Sequence, residues 1–349
     1  MPETNPFDPQ DMNAAIEALG ENLLSGWQLG LRQELPQVGS VRQVVICGVG
    51  GSAIGGDFTT AFLADELPIP VTAHRNYGLP SWAKGPETLG ICSSHSGNTE
   101  ETVGSFHAAI ERGCSLMGMC TGGKLAALCE GADKPCWKFD HVGQPRTAIG
   151  WTVGLLMALY FRLGFIADQS HSVEEAAEIL AEGIQTLGKD SPVSRNPAKR
   201  LAGQLLDRNI VIFGAGELEV IARRWKSQIN ELSKAWAAFE GIPEMNHNSL
   251  AGLRHPESLY ERTSAIFLRS DFDHERSRKR IGYSQQFFLE AGVAAEIISA
   301  QGVGKLAQMF SLLQFGDYVS YYLALAYGED PTPIDILVRL KKLLADQAE

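Results

Sequence analysis

Residues 44–56 read VVICGVGGSAIGG: four apolar residues followed by a glycine-rich run. A short apolar run bounded by glycine predicts a strand buried on both faces, as in a parallel sheet. The run after it leads into DFTTAFLADEL (57–67), which has a helical pattern. Three more strands follow at short spacing: VTAHRN (71–76), LGICSS (89–94) and SLMGMC (115–120). LGICSS leads through HSGN into the helical TEETVGSFHAAIERG (99–113), and SLMGMC leads through TGG into KLAALCEG (124–131). Strand, loop and helix repeated in this way predict an α/β fold, a doubly wound parallel sheet with helices on both faces.

The same grammar restarts at NIVIFGAGELEVIARRWKSQINELSKAWAAF (209–239), read as strand, turn and one long helix. SAIFLRS (264–270) and AAEIISA (294–300) are the next strands, so the second half is a diverged repeat of the first. A helical span covers residues 151–187, and helical patterns continue from Phe310 to the end around EDPTP (329–333). The polar segment 189–199, with Pro192 and Pro197, is the expected linker between subdomains 1–188 and 200–349.

Composition narrows the function. The chain has 349 residues, 44% hydrophobic, enough for more than one core. Thirty Lys and Arg against 41 Asp and Glu give a net charge of −11, so no nucleic-acid surface is expected and an anionic ligand needs a locally built site. The six cysteines include no C-x-x-C pair and read as small buried hydrophobes of a reducing compartment. MPETNPFDPQ has neither a basic nor an apolar signal region, which makes a cytoplasmic protein the expectation. The apolar run 148–161 is too short to span a membrane and reads as a buried core or interface helix, so no membrane partner is expected.

Two loops carry the strongest functional signal. Gly48, Gly50, Gly51 and Ser52 lie between a strand and a helix, where backbone N–H groups favour a phosphate. A dinucleotide fits poorly, because G-x-G-x-x-G is met only with Ala53 as its last member and no acidic residue ends VTAHRN. In SSHSGNTEET (93–102), Ser94, Ser96 and Thr99 place three hydroxyls at a helix start. A capping box needs one hydroxyl; three, beside a second glycine-rich loop, favour a phosphomonoester.

GGSAIGGD (50–57) together with SHSGNTEET (94–102) resembles the sugar isomerase (SIS) fold. QPR (144–146), SQINELSKAWAAFEGIPEMNHNSLAG (227–252) and DYVSYYLALAYGEDPTP (317–333) extend the resemblance to the bifunctional phosphoglucose/phosphomannose isomerases of archaea and bacteria. It implies two SIS-type subdomains and interconversion of glucose 6-phosphate, mannose 6-phosphate or both with fructose 6-phosphate through an enediol. Gly51, Ser52, Ser94, Ser96 and Thr99 would hold the substrate phosphate. His95 departs from the family, which has Tyr there, and this bears on sugar preference or loop packing.

Aldose–ketose isomerisation needs one carboxylate to move a proton between C1 and C2. By pattern, Glu231 is either such a base on a part-apolar helix or a solvated carboxylate paired with Lys226 or Lys234; the resemblance makes it the base. His247, in an Asn-flanked loop, is either a turn residue or an acid–base group; the resemblance implies ring opening by a histidine supplied across a homodimer. Arg146 is the candidate to stabilise the enediolate and Lys341, beside Lys342, is placed near the site by family position. His95, His107, His141 and His255 read as ordinary surface or core residues. No metal-ligand spacing is present, and neither metal nor cofactor is expected. The alternatives are a single-specificity sugar-phosphate isomerase and a non-catalytic SIS sensor.

Overall fold

The computed structural model describes residues 6–345. The strands are β1 (Gln43–Cys47), β2 (Val71–His74), β3 (Thr88–Ser93), β4 (Ser115–Cys120) and β5 (Cys136–Lys138), then β6 (Asn209–Ala215), β7 (Ala237–Ile242), β8 (Thr263–Arg269) and β9 (Ala294–Ser299). They form two sheets, ordered β2-β1-β3-β4-β5 and β7-β6-β8-β9, and every pairing is parallel. β6 therefore occupies the place of β1, and β8 that of β3, as the repeat in the sequence predicts. β3 is buried throughout, which is why it reads as a continuous apolar run.

The helices are α1 (Met12–Glu17), α2 (Leu19–Gly30), α3 (Gly51–Phe62), α4 (Glu100–Glu111), α5 (Gly123–Gly131), α6 (Ile149–Arg162) and α7 (Ser170–Leu187), followed by α8 (Pro197–Gln204), α9 (Leu218–Leu232), α10 (Glu275–Glu290), α11 (Lys305–Tyr327) and α12 (Asp335–Ala345). α6 is the apolar run of the sequence, and it is a core helix: Val153 to Tyr160 are all buried. It meets α2 at backbone distance, since a Cβ on Gly154 would lie 2.5 Å from the Leu23 carbonyl oxygen. No described helix is long and apolar enough to cross a membrane.

α11 is buried along most of its length and packs against α7, α8 and α9. It anchors α9, the helix that carries Glu231. Arg224 on α9 makes a two-pronged buried ion pair with Asp317 at 2.8 and 3.2 Å, and Trp225 donates from Nε1 to the Leu312 carbonyl at 2.8 Å. Arg223 donates to Asp57 on α3 at 2.8 Å, tying α9 to the first sheet's leading helix.

Several elements differ from the sequence expectation. The glycine-rich run is not all loop, because α3 already begins at Gly51. The expected helix through Phe239 stops at Leu232, and residues 237–242 become β7, paired with β6. Alanine-rich AWAAF has helical propensity, but Lys234 takes φ 53 and Asn230 donates to the Ala235 carbonyl at 2.9 Å, turning the chain into the sheet. The span 151–187 is two helices separated by a turn in which Gly164 has φ 75. Within 189–199, α8 already starts at Pro197, capped by Asn196, whose Oδ1 accepts from Lys199 N at 3.0 Å. α1, α2 and the short β5 carried too weak a pattern to be read.

Candidate active site

The loops after β1 and β3 lie side by side because their strands are neighbours. Their glycines allow backbone to meet backbone: a Cβ on Gly48 would stand 2.6 Å from the Ser93 carbonyl oxygen, and one on Gly51 2.7 Å from that of Pro145. Ser52 Oγ accepts from His95 N at 3.0 Å, joining the two loops. Ser94 Oγ and Thr99 Oγ1 are 2.9 Å apart, while Ser96 Oγ accepts from Asn98 N at 3.2 Å. Thr99 is the N-cap of α4 but makes no side-chain cap bond, so the capping-box explanation of these hydroxyls fails. The first turn of α5 braces them, with Leu125 N donating to the Gly97 carbonyl at 2.9 Å and Lys124 N to Asn98 Oδ1 at 3.0 Å. Gly51, Ser52, Ser94, Ser96 and Thr99 are thus brought together at one sheet edge, at two helix N-termini.

The matching edge of the second sheet has the opposite character. The loops after β6 and β8 carry Glu217 and Asp273. Burial pushes the Asp273 carboxyl up to about 6, and the charge of Glu217 adds to the rise. Two carboxyl groups at this edge disfavour an anion there.

Arg146 sits in a single-turn 3-10 helix (Pro145–Thr147) and is 3% exposed. Its Nη2 donates to the Pro331 carbonyl at 2.9 Å and the Thr332 carbonyl at 2.6 Å, and its Nη1 lies 3.6 Å from Glu231 Oε2. Burial lowers its pKa to about 10, opposed by the Glu231 carboxylate, so it stays a cation at neutral pH. Glu231, on the last turn of α9, keeps 29% of its side chain exposed. Lys234 does not pair with it; its Nζ donates to the Asp330 carbonyl at 2.5 Å and the Leu232 carbonyl at 3.1 Å. The arrangement is a fixed, desolvated cation facing a half-buried carboxylate, beside a pair of glycine- and hydroxyl-lined loops.

Among the described residues, no hydrogen bond or ion pair joins His247 or Lys341 to this centre. His247 is exposed on the turn Glu244–His247 after β7, and Lys341 lies on α12, where residues 335–344 are all exposed. The sequence reading missed the carbonyls of Pro331 and Thr332 as the holders of Arg146; EDPTP, with two prolines fixing a rigid turn, was the available signal. It also missed His95 and His141, whose rings touch at 2.9 Å.

Residues 194–344 match the family model for the bacterial phosphoglucose isomerase C-terminal SIS domain. A bifunctional phosphoglucose/phosphomannose isomerase of Caldicellulosiruptor bescii is 35% identical over 96% of this chain and 99% of its own. One from Aquifex aeolicus is 31% identical over 87% of this chain and 91% of its own. The chain belongs to the bifunctional phosphoglucose/phosphomannose isomerase family. Among solved structures, a glucose-6-phosphate isomerase-like protein of Thermus thermophilus superposes with a TM-score of 0.65 at 18% identity, covering 98% of both chains, which supports the fold. Of the family-like segments quoted from the sequence, GGSAIGGD, SHSGNTEET, QPR, the helix that ends at Leu232 and EDPTP meet at the centre described above.

Proposed function

We propose that this member of the phosphoglucose/phosphomannose isomerase family interconverts glucose 6-phosphate, mannose 6-phosphate or both with fructose 6-phosphate. The observation that carries the reading is the Arg146–Glu231 pair beside the hydroxyl-lined loops. The phosphate rests on Gly51, Ser52, Ser94, Ser96 and Thr99, which offer N–H and O–H donors to a charged acceptor. Glu231 takes the proton from C2 of the aldose or C1 of the ketose and returns it to the other carbon. The enediolate oxygen that forms is stabilised by the guanidinium of Arg146, already desolvated and aimed. A phosphorylated ring must first open, and His247 of the neighbouring subunit moves the proton between the ring oxygen and the anomeric hydroxyl. Lys341 supplies a second cation.

A homodimer is supported by the apolar surface a single chain leaves uncovered. α12 exposes Ile336, Leu337, Val338, Leu340, Leu343 and Leu344, and Trp236 is 78% exposed. A helix this short and apolar needs a partner surface to be stable in water. Incubation with fructose 6-phosphate, with both aldose products resolved, tests the reading. Formation of either aldose phosphate is expected; no turnover leaves a sugar-phosphate sensor, and one product alone a single-specificity enzyme.

A further inference from the structure

His95 Nε2 lies 2.9 Å from His141 Nδ1, and His141 Nε2 lies 3.2 Å from Thr147 Oγ1. The direction of this chain follows from counting protons. The Thr147 hydroxyl has one, and it goes to the Gln144 carbonyl at 2.8 Å. Toward His141 it can only accept. His141 therefore carries its proton on Nε2, its Nδ1 is an acceptor, and His95 donates from its own Nε2. Both rings are neutral, and both are Nε2–H tautomers.

The ends of the chain are fixed to the site. His95 N donates to Ser52 Oγ at 3.0 Å, and the His95 carbonyl accepts from Thr121 N and Oγ1 at 2.9 and 2.8 Å. At the other end Thr147 directly follows Arg146, and the backbone of Pro145 runs close to Gly51, where a Cβ would lie 2.7 Å from the Pro145 carbonyl oxygen. Ser52, His95, His141, Thr147, Arg146 and Gly51 thus close a circuit joining the phosphate-type loops to the arginine turn. Burial keeps both rings neutral: it lowers His141, and burial first, then the repulsion a protonated His141 would exert, lowers His95 to about 4.

We propose that His95 and His141 are positioning residues for the isomerisation, setting the distance between the phosphate loops and the Arg146 guanidinium so that seating the phosphate also places the reacting carbons. The proposal rests on the isomerase reading above. Neither ring has to touch the substrate.

The test uses the full chain labelled with 15N-histidine. Two-bond 1H–15N spectra at neutral pH are expected to show His95 and His141 as Nε2–H tautomers, and Thr147→Val, which removes the acceptor at similar volume, is expected to perturb the His141 signals. In kinetics with fructose 6-phosphate, His141→Ala is expected to lower kcat/KM by about ten- to a hundredfold, the range for a small misplacement of catalytic groups. His141→Asn, which keeps an acceptor toward His95, is expected to recover part of that loss. If His141→Ala does not fold, Thr147→Val is expected to show a smaller loss in the same direction. A His141 protonated on Nδ1, or a folded His141→Ala with wild-type kcat and KM, overturns the positioning role and leaves the isomerase reading intact. An inactive wild type overturns the isomerase reading and the positioning role with it.

Discussion

Arg146 Nη1 faces Glu231 Oε2 at 3.6 Å, across the boundary between the first sheet's last turn and the second sheet's first helix. The arginine is buried and the carboxylate is half-buried, and this asymmetry matters. A buried guanidinium is costly unless its N–H groups are satisfied; the carbonyls of 331 and 332 take Nη2, while Nε is buried without a hydrogen-bond partner among the described residues. Glu231 keeps part of its side chain exposed while remaining beside a fixed positive charge.

Glu231→Gln keeps the shape of the side chain and removes the proposed base. Solvent-deuterium incorporation at C2 is expected to fall by about two to four orders of magnitude, with KM little changed. Near wild-type exchange would return Glu231 to the role of a helix-face carboxylate.

Ser96→Ala removes an exposed hydroxyl from the phosphate-type loop without disturbing its buried neighbours. Losing one hydrogen bond to a charged acceptor costs about 1.5–3 kcal/mol, so KM for fructose 6-phosphate is expected to rise roughly ten- to a hundredfold. An unchanged KM places the phosphate elsewhere.

Complementation tests whether His247 acts across a dimer. Glu231→Gln and His247→Ala are each expected to be nearly inactive. After denaturation and refolding together, half of the dimers are mixed and one of their two sites is intact, so about a quarter of wild-type activity is expected. If both residues serve the site of their own chain, mixing restores nothing.

The neutral histidine pair has a consequence for stability. With folded pKa values below the unfolded 6.5, both rings bind fewer protons folded than unfolded as the pH drops. Their contribution is fully present above pH 6.5 and is lost as the pH falls through the folded values, about 4 for His95. Urea titrations between pH 7 and 4 are expected to show a smaller loss of stability in a His95→Gln, His141→Gln double variant than in wild type. Equal slopes would mean that the pair is protonated as readily in the fold as out of it.

The strands and loops of the first half were legible because their signals are local. A buried parallel strand must be apolar along its length, and the loop after it needs glycine where two backbones touch, as at Gly48 and Gly51. The same holds for the hydroxyls at 94, 96 and 99. β7 was not legible: AWAAF prefers a helix in isolation, and only pairing with β6 makes it a strand.

What the sequence determined by itself, then, was the class of fold, the repeat, and the residue types gathered at the phosphate-type edge, since each follows from neighbours along the chain. Tertiary structure alone decided which group faces Glu231, what holds Arg146, and that His95 meets His141. Those contacts join distant segments, Pro331 to Arg146 and His95 to His141, and depend on how the elements pack. Charge and hydrogen-bonding capacity are written residue by residue, but a partner within 3 Å is set by the packing of the whole core.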